Sequence, residues 1–528
     1  MDILTHPGML CFTGAITLQH LLAACANQQP PHPTTLKPWL ELAQLNPPPP
    51  IPPEMQTAKP CPHRLLAQLH SLQHKHKSLH ALQLARKSVT PSCQSISYSN
   101  TAPLIIMAGS NCYLTSYETT SSSSTIQSTV YLDTRNNVPC CGHSNPTIVS
   151  AIHSQASLIN TNTRYLHPDF VELKLKLIKT LPSLIDDDWL IILTNSGSES
   201  NDLALRIASS NSKNSDITLT TDMGYHGHTE ALINVSPYKL KSIGINEPLE
   251  GTKWLKHPNS YTHDTQYYIK DIDLNLKNTI EPVLIYEIGM SVGGVILPPP
   301  GYLPHLVNSV KTKKGTVIFD CVQTACGRLG IGKWWGFEGE GVIPDIVTVG
   351  KPLGNGHPVS ACCVRKSVVK NFDDMGMEYF NTFGGNTVSV AAGLATVNEI
   401  ERMDLQSNCS KIGNILIKGF RKFMVLHPNT IGDVRGEGLF IGVEILSSYK
   451  DKNPGTFETS WICSKMKDDY RVLTTIDGEN DNVIVVKPPQ TFGEVEVEYF
   501  LWAFGMVVKE LERAKRYGNF EIGEKTPT

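Results

Sequence analysis

The middle of the chain alternates between short apolar runs and segments with helical spacing. The runs that are apolar enough to form buried strands are Trp189–Thr194, Ile217–Thr220, Val283–Glu287, Thr316–Asp320 and Ile346–Gly350. Glu199–Ala208 and Pro304–Lys313 have helical periodicity and stand between these runs. Strands that alternate with helices are typical of crossover units, which build a mostly parallel sheet buried on both faces. The pattern therefore predicts an α/β domain.

The segments on either side of this domain have a different pattern. Ala391–Met403 is predicted to be a long helix, and the stretch after it mixes helices with strands such as Gly438–Ile445. Before the domain, the apolar runs Tyr113–Tyr117 and Thr129–Asp133 flank the low-complexity run Ser121–Ser124. We expect a smaller α+β domain at the C-terminal end and an enlarged hairpin at the N-terminal end.

The first residues of the chain are predicted to form an appendage. Its prolines, Pro47–Pro50 and Pro52–Pro53, favour an extended linker over a packed element. The histidines that follow, between His70 and His80, stand among regularly spaced leucines. They could bind a metal, but they lack companion Cys or carboxylate ligands, so a basic amphipathic helix facing a partner is the favoured interpretation.

These patterns divide the chain into four predicted segments. They are a Pro/His-rich appendage expected to be flexible (1–78), a segment with the hairpin (79–165), a large α/β domain (166–395) and the C-terminal small domain (396–528).

Composition narrows the class of protein. The chain has 46 basic and 49 acidic side chains, so neither a nucleic acid nor a membrane surface is indicated as a partner. Its 13 scattered cysteines fit reduced thiols in an intracellular protein better than a disulfide framework. Residues 9–27 are fairly apolar, but Asp2 precedes them and the first arginine is Arg64, which fits neither a secretory signal nor a transit peptide. Cytoplasm and mitochondrion both stay open.

Three polar segments follow predicted strands, where parallel sheets collect their ligands. Thr194–Glu199 (TNSGSE) opens a helix with small and hydroxyl residues, which suits an anion but is also common in ordinary helix caps. Asp320 ends a buried strand and needs a positive partner there, for which a protonated pyridine nitrogen or an ordinary ion pair would serve. Lys351 lies between glycines and would become nucleophilic if partly desolvated, whereas the alternative is a surface lysine in a turn.

Six segments together carry a specific resemblance. They are GHSNP at Gly142–Pro146, NSGSESN at Asn195–Asn201, YHG at Tyr225–Gly227, DCVQT at Asp320–Thr324, FNTFGGN at Phe380–Asn386 and VRGEGL at Val434–Leu439. Each is similar to a motif of the class III aminotransferases, which are pyridoxal-phosphate (PLP) enzymes of fold type I. The resemblance runs from about residue 80 to 515. It implies that residues 166–395 form a large PLP-binding domain with a mostly parallel seven-stranded sheet. Residues 79–165 would be the N-terminal segment of a smaller α+β domain that is completed by residues 396–528. The resemblance also implies a homodimer with shared active sites.

The resemblance also implies a cofactor and the residues that hold it. Lys351 would be the Schiff-base lysine and proton carrier, and Asp320 would bind the ring nitrogen. The remaining cofactor residues implied are Gly197, Ser198 and the partner subunit's Thr382 at the phosphate, Tyr225 and Val322 on the two ring faces, Gln323 at the ring hydroxyl, and His226 beside Tyr225. No metal is implied.

Within the family, the chain is most similar to the ethanolamine-phosphate and phosphohydroxylysine phospho-lyases. Segments that carry this likeness include Asn160–His167, Ser236–Lys239, Gly354–Pro358 and Met377–Phe380. Such enzymes eliminate phosphate from a phosphorylated amine and release an aldehyde and ammonia. A phosphate substrate needs a cationic clamp. The candidates are Arg164, His228, Lys239 and Arg435, each of which could instead be a structural ion pair or an exposed charge.

Two alternatives stay open. The first is an ω-aminotransferase of the alanine–glyoxylate type, which transfers the amino group to a keto acid. The second is a non-catalytic homologue that acts as a binding scaffold. It is motivated by departures from the family pattern: Cys321 replaces a glutamate, Ala325–Cys326 replaces a pair of small residues, and no glutamine follows Glu287. Retention of Lys351 and Asp320 argues against the scaffold.

Overall fold

The structure is a computed structural model that describes residues 49–56, 84–86, 88–91, 104–119, 126–212, 217–376, 378–448 and 450–517. The histidines and leucines between Leu65 and Leu82, the serine run Ser121–Ser124 and Met377 lie outside the described residues.

The described chain forms helices and strands, numbered separately along the sequence. The helices are α1 (Pro53–Gln56), α2 (Pro146–Leu158), α3 (Pro168–Thr180), α4 (Gly197–Ser209), α5 (Glu230–Asn234), α6 (Pro237–Ser242), α7 (Thr265–Leu276), α8 (Tyr302–Thr312), α9 (Lys366–Asp374), α10 (Thr387–Arg402), α11 (Leu405–Leu426), α12 (Thr456–Tyr470) and α13 (Glu494–Tyr517). The strands are β1 (Ile106–Ser110), β2 (Tyr113–Thr119), β3 (Ile126–Asp133), β4 (Trp189–Thr194), β5 (Thr218–Thr221), β6 (Thr252–Leu255), β7 (Val283–Glu287), β8 (Thr316–Asp320), β9 (Ile346–Val349), β10 (Ser360–Arg365), β11 (Ile431–Glu437), β12 (Phe440–Ser448), β13 (Asn453–Pro454), β14 (Val472–Leu473), β15 (Thr475–Asp477) and β16 (Val483–Val486).

The central sheet has seven strands in the order β4-β10-β9-β8-β7-β5-β6. Strands β5 to β9 pair in parallel, whereas β10 runs antiparallel to both β4 and β9. This confirms the predicted α/β class with a mostly parallel sheet of seven strands. The sequence pattern did not predict β6 and β10, and β10 joins the sheet between strands that are far apart in the sequence.

Helices cover both faces of this sheet. Every residue of β7 and β8 is buried, so their continuous apolar sequences have no solvent-facing side. Val283 and Ile285 pack on one face, in a cluster with Leu203 of α4 and Phe372 of α9. Their neighbours Leu284 and Tyr286 pack on the other face, in the larger cluster that contains residues of α7, α8 and α10. Because these strands are packed on both faces, the residues at their ends are held in defined positions.

The smaller sheets bring both ends of the described chain together. One has the order β1-β2-β3-β14, where β14 pairs in parallel with β3 although it lies far along the sequence. The other follows β11-β12-β16-β15, with β13 beside β12. A second core cluster, which includes Phe420 and Phe500, is shared by these sheets and by α11, α12 and α13. Helix α10 runs without a break through the expected boundary after residue 395.

Part of the proline-rich segment packs against this second core, which differs from an extended linker. Pro53–Gln56 forms a helical turn, and the side chain of Met55 is only 4% exposed. The physical reason is local, because proline is well suited to the first turn of a helix and Met55 supplies an apolar side chain directly after it. Within the described residues, no helix is long and apolar enough to cross a membrane.

Candidate active site

Three parallel strands end side by side at one edge of the large sheet. Glu287 ends β7 and lies opposite Asp320, which ends β8, and Asp320 in turn lies opposite Thr348 of β9. Lys351 follows β9 after one more residue, Gly350. A Cβ added to Gly350 would lie 3.2 Å from the Cα of Gly197, so this turn touches the start of α4. The fold therefore gathers the predicted lysine, aspartate and glycine loop in one place.

Asp320 is buried and held by donors on both of its carboxylate oxygens. Its Oδ2 accepts from Asn201 Nδ2 at 2.7 Å and contacts His226 Nδ1 at 3.0 Å. Its Oδ1 accepts from the backbone N–H of Val322 at 3.0 Å. Thr348 fixes the amide of Asn201 in turn, since its hydroxyl donates to Asn201 Oδ1 at 2.6 Å. These neighbours therefore orient the Asp320 carboxylate, and the imidazole of His226 contacts it through Nδ1.

Lys351 lies in an electrostatic setting that favours its neutral amine. Burial lowers the pKa of Lys351, and the positive charge of Lys487 lowers it further. The carboxyl groups of Asp320, Glu287 and Asp477 act in the opposite direction when they are ionised. Among the described residues, the Lys351 ammonium has no hydrogen-bond partner. A desolvated amine without a partner is the form of lysine that reacts with carbonyl groups.

Glu287 is a buried carboxyl beside these charges. Burial and the negative charge of Asp320 raise the pKa of Glu287 to about 8. The backbone N–H of Tyr225 donates to Glu287 Oε2 at 3.4 Å. At neutral pH the side chain of Glu287 therefore carries a proton for most of the time.

The glycine loop forms a narrow cradle at the N-terminus of α4. The hydroxyl of Ser196 accepts from Glu199 N, and Glu199 accepts from Ser196 N, which completes a capping box. Gly227 approaches from the neighbouring segment with φ at +140°, and a Cβ there would lie 2.5 Å from Ser198 Oγ. Small residues here leave backbone N–H groups and a helix N-terminus open to an anion.

Val322, Tyr225 and Gln323 are further predicted cofactor residues near the strand ends. Val322 is buried, and its methyl groups lie 2.9 to 3.0 Å from where a Gly197 Cβ would be. Tyr225 is partly buried on another segment, and burial raises the pKa of its hydroxyl. Gln323 is buried, and its Oε1 accepts a hydrogen bond from Asn137 Nδ2. The carboxylate, the valine and the glutamine come from one short segment, Asp320–Gln323.

The other predicted cations lie in different settings. His228 and Lys239 both lie near Tyr225. The ring centroids of His228 and Tyr225 are 6.1 Å apart, and the Lys239 ammonium lies 5.8 Å from the Tyr225 ring centroid. Arg164 is exposed and lies over the ring of Phe380 at 4.6 Å. Arg435 is held by two carboxylates, since its Nη1 lies 2.9 Å from Asp433 Oδ2 and 2.7 Å from Glu444 Oε2.

Thr382 lies on the protein surface in a segment with large exposed apolar side chains. Phe380 is 42% exposed and Phe383 is 69% exposed. The segment is tied to the glycine loop, because Asn195 Nδ2 donates to the carbonyl of Phe383 at 2.9 Å.

The fold adds polar residues that sequence reasoning did not single out. Asn201 and Asn137 support Asp320 and Gln323, and Ser291, Asp477 and Lys487 form a further charged group near Lys351. Asn201 ends the NSGSESN segment, so this motif was the available signal. The others are scattered from residue 137 to 487, and no local pattern connects them.

The two cysteines that depart from the family pattern, Cys321 and Cys326, point into the protein core. Cys321 and Cys326 are fully buried in the large core cluster, and burial raises the pKa of both thiols. The thiol of Cys321 is therefore a packing group that is held neutral.

Comparison with known proteins gives the class to which this architecture belongs. The family model for class III aminotransferases matches residues 126–507. The chain belongs to this family, whose members are PLP-dependent enzymes, both transaminases and phospho-lyases.

The individual relatives include proteins named as aminotransferases and proteins named as phospho-lyases. The chain is 36% identical over 439 residues to an alanine–glyoxylate aminotransferase 2-like protein of Drosophila melanogaster, covering 80% of this chain and 85% of the relative. It is 31% identical over 417 residues to ethanolamine-phosphate phospho-lyase homolog 1 of Caenorhabditis elegans, covering 73% and 86%. Among solved structures, a phospholyase from Arthrobacter in complex with phosphoethanolamine has a TM-score of 0.72 and 32% identity, covering 81% of this chain and 99% of that chain.

Proposed function

We propose that this chain binds PLP at the ends of β7, β8 and β9, with Lys351 joined to the cofactor and Asp320 bound to its ring nitrogen. The desolvated Lys351 amine without a hydrogen-bond partner supports this, together with an oriented, buried Asp320. The remaining contacts proposed are Gly197 and Ser198 at the phosphate, Tyr225 and Val322 on the ring faces, Gln323 at the ring hydroxyl and the partner subunit's Thr382 at the phosphate. His226 acts on the cofactor through Asp320, whose carboxylate it contacts.

The residues present fit this group. A Cβ at Gly197 or Gly227 would occupy the narrow space beside Val322 and Ser198, so glycine keeps the cradle open. A negative Asp320 requires a positive partner at the edge of a buried strand, and a protonated pyridine nitrogen supplies one. When bound, the cofactor ring takes up the electron pair that remains after a proton leaves the carbon bearing the amine.

The reaction we propose is elimination of phosphate from a phosphorylated amine such as phosphoethanolamine or phosphohydroxylysine. Lys351 removes the proton from the carbon that bears the amine. The C–O bond to phosphate on the neighbouring carbon then breaks, and its electron pair leaves with the phosphate. Hydrolysis of the unsaturated amine by one water gives aldehyde and ammonia. The likeness to the Arthrobacter phospholyase across nearly all of that protein is the observation that carries this choice.

Transamination is the second candidate function. The 36% identity to the Drosophila protein called alanine–glyoxylate aminotransferase 2-like favours it. It would use the same lysine and aspartate, and it would move the amino group to a keto acid while leaving no phosphate in solution.

We further propose a homodimer inside the cell. Four large side chains stay exposed in the single chain, and a subunit interface would cover them: Tyr165, Leu166, Phe380 and Phe383. An interface there would also place the partner subunit's Thr382 next to a cofactor phosphate.

The cysteines among the described residues are all free thiols, which supports a reducing compartment. Relatives in Arabidopsis thaliana and Homo sapiens are named as mitochondrial, so the mitochondrion stays a candidate beside the cytoplasm.

The test is to incubate PLP-loaded protein with phosphoethanolamine, without any keto acid, and to measure phosphate and aldehyde. Equal amounts of both products are expected from a phospho-lyase. Conversion of the cofactor to its amine form by another donor, with no phosphate released, would assign the protein to the aminotransferases. Absence of the near-visible cofactor band in PLP-supplemented protein would overturn the enzyme proposal, and Lys351→Ala is the control that should lose this band.

A further inference from the structure

A second lysine lies at the edge of the proposed active site. Lys487 directly follows β16, and its side chain is 14% exposed. Its backbone N–H donates to the carbonyl of Thr134 at 2.8 Å, which fixes the position of the main chain. Lys487 is also close enough to Lys351 for its positive charge to lower the pKa of that lysine.

Lys487 is positioned by a small polar group. Its Nζ donates to Ser291 Oγ at 2.8 Å, and Ser291 Oγ donates to Asp477 Oδ2 at 2.8 Å. The carboxylate of Asp477 lies 3.7 Å from the ammonium, which is longer than a hydrogen bond. Since a lysine ammonium has three N–H donors, and Ser291 is its hydrogen-bond acceptor among the described residues, donors remain for another acceptor.

The same group is connected to the strand ends that carry the proposed chemistry. The backbone of Ser291 lies near the Glu287 carboxyl and lowers its pKa, and Glu287 lies opposite Asp320 in the sheet. The ionisable groups that act on the pKa of Lys351 are therefore Lys487, Asp320, Glu287 and Asp477. Lys487 is the basic side chain among these four groups. An anion that binds next to Lys351 would therefore need Lys487 as its positively charged partner.

The previously considered cations are less suited to this place. Arg435 uses its guanidinium on two carboxylates and on the carbonyl of Gly294, to which its Nε donates at 2.8 Å. Arg164 lies over an exposed ring at the surface. His228 and Lys239 stand around Tyr225, which is proposed to lie on one face of the cofactor ring.

We propose that Lys487 binds the phosphate group of the amine substrate, and that Ser291 positions the ammonium for this contact. The proposal rests on the phospho-lyase function proposed above and names the residue that holds its leaving group. Phosphate gains negative charge as the C–O bond breaks, so a fixed ammonium stabilises it most strongly at that point. Asp477 lies 3.7 Å from the ammonium, so it leaves donors of Lys487 for the phosphate.

The first test measures binding of inorganic phosphate to the PLP-loaded protein by calorimetry. Lys487→Met should weaken phosphate binding by about tenfold or more, because a charge-assisted hydrogen bond is lost. Lys487→Arg should keep most of the affinity. Lys333→Met is the matched control, since Lys333 is also a partly buried lysine paired with a carboxylate, Glu437 at 2.8 Å. Equal affinity in wild type and Lys487→Met would overturn the proposal.

A second variant separates binding from a structural role. Asp477→Asn removes the competing negative charge and leaves Lys487 in the chain. We expect phosphate to bind at least as tightly as in wild type, with the cofactor band and melting temperature retained. If Asp477→Asn and Lys487→Met weaken binding equally, the pair has a structural role and the proposal fails.

Kinetics distinguish this proposal from the function on which it rests. In a wild type that releases phosphate, Lys487→Met should raise KM for phosphoethanolamine by about tenfold or more, since ground-state binding of phosphate is lost. Phosphate release with unchanged KM and unchanged phosphate affinity would leave the lyase standing and overturn the role of Lys487. Failure of the wild type to release phosphate from any phosphorylated amine would remove the lyase. In that case a calorimetric loss in Lys487→Met would still support an anion site at Lys487.

Discussion

Asp320 shows at the scale of single residues how a buried charge is kept ready for a partner. Asn201, His226 and the backbone of Val322 approach its two oxygens, and Thr348 holds the asparagine from behind. These contacts orient the carboxylate, and none of them comes from a lysine or an arginine. The charge is therefore available to a cation that is not part of the chain.

We expect Asp320→Asn to weaken PLP binding by about tenfold to a hundredfold, because a charge-assisted hydrogen bond to the ring nitrogen is lost. Titration of the cofactor-free protein with PLP, followed by absorbance, measures the affinity. Asp222→Asn is the matched control, since Asp222 also pairs with a histidine, His257 at 2.6 Å, outside the proposed site. An Asp320→Asn protein that titrates like the control would contradict the assignment.

Glu287 makes the stability of the cofactor-free protein depend on pH. Its pKa is raised to about 8 in the folded chain and is ordinarily 4.5. Between these two values the folded state holds more protons than the unfolded state, so the free energy of unfolding falls as pH rises. The decrease is up to about 1.4 kcal/mol per pH unit and ends above the folded pKa.

Glu287→Gln should remove this slope, because glutamine does not titrate. Denaturant unfolding of the cofactor-free variant across the same pH window measures it. Glu401→Gln should keep the wild-type slope, since Glu401 is 53% exposed and pairs with Lys176 at the surface. Parallel slopes for wild type and Glu287→Gln would show that Glu287 does not titrate in this window.

At the scale of elements, the N-terminus of α4 combines a self-contained cap with close backbone packing. The capping box needs only Ser196 and Glu199, which are neighbours in the sequence. The close approach needs Gly227, which arrives from the loop after β5 with a positive φ. The sequence motif thus predicts the cap, whereas the packing that shapes the cradle depends on another segment.

Gly227→Ala should lower stability and weaken PLP binding together, because its Cβ would lie 2.5 Å from Ser198 Oγ and 2.7 Å from Leu232 Cδ1. Gly244→Ala is the matched control. Gly244 also has a positive φ, +82°, but an added Cβ meets nothing within 4 Å. The control should cost on the order of 1 kcal/mol of backbone strain and leave the PLP affinity unchanged. Similar PLP affinities in both variants would refute the cradle.

At the scale of the whole molecule, segments from both ends of the chain share one sheet. Strand β14 pairs with β3, and Met55 from the proline-rich segment packs in the core beside them. The carbonyl of Met55 also accepts from Arg471 Nη1 at 3.5 Å. This core is separate from the sheet edge that holds Lys351. The N-terminal segment should therefore affect stability more than cofactor binding.

Two truncations test this expectation. Deleting residues 1–48 keeps α1, whereas deleting residues 1–78 removes it. Both proteins should retain the PLP absorbance band, and only the longer deletion should lower the free energy of unfolding, by on the order of 2 kcal/mol for the loss of Met55 burial. Loss of the band in the longer deletion would show that the appendage supports the active site.

Assembly is the other property of the whole molecule that mutation can test. Phe383→Asp should dissociate the proposed dimer and weaken PLP binding, because it places a charge in the interface next to Thr382. Light scattering measures the mass, and PLP titration measures the affinity. Ile185→Asp is the control, since Ile185 is 93% exposed in a loop before β4. A Phe383→Asp protein with wild-type mass would place the interface elsewhere.

The sequence by itself determined five of the seven strands of the central sheet, β4, β5, β7, β8 and β9, and the residues that follow them. Trp189–Thr194, Val283–Glu287 and Thr316–Asp320 have the predicted bounds, because short apolar runs buried on both faces carry their signal locally. The glycine loop, Asp320 and Lys351 each stand in a contiguous motif at a strand end. Only the tertiary structure decided that β10 enters the sheet between β4 and β9, and that Met55 joins the second core. It also decided that Ser291, Asp477 and Lys487 meet beside Lys351. These contacts join segments far apart in the chain, and burial and charge act through space, so no local pattern could predict them.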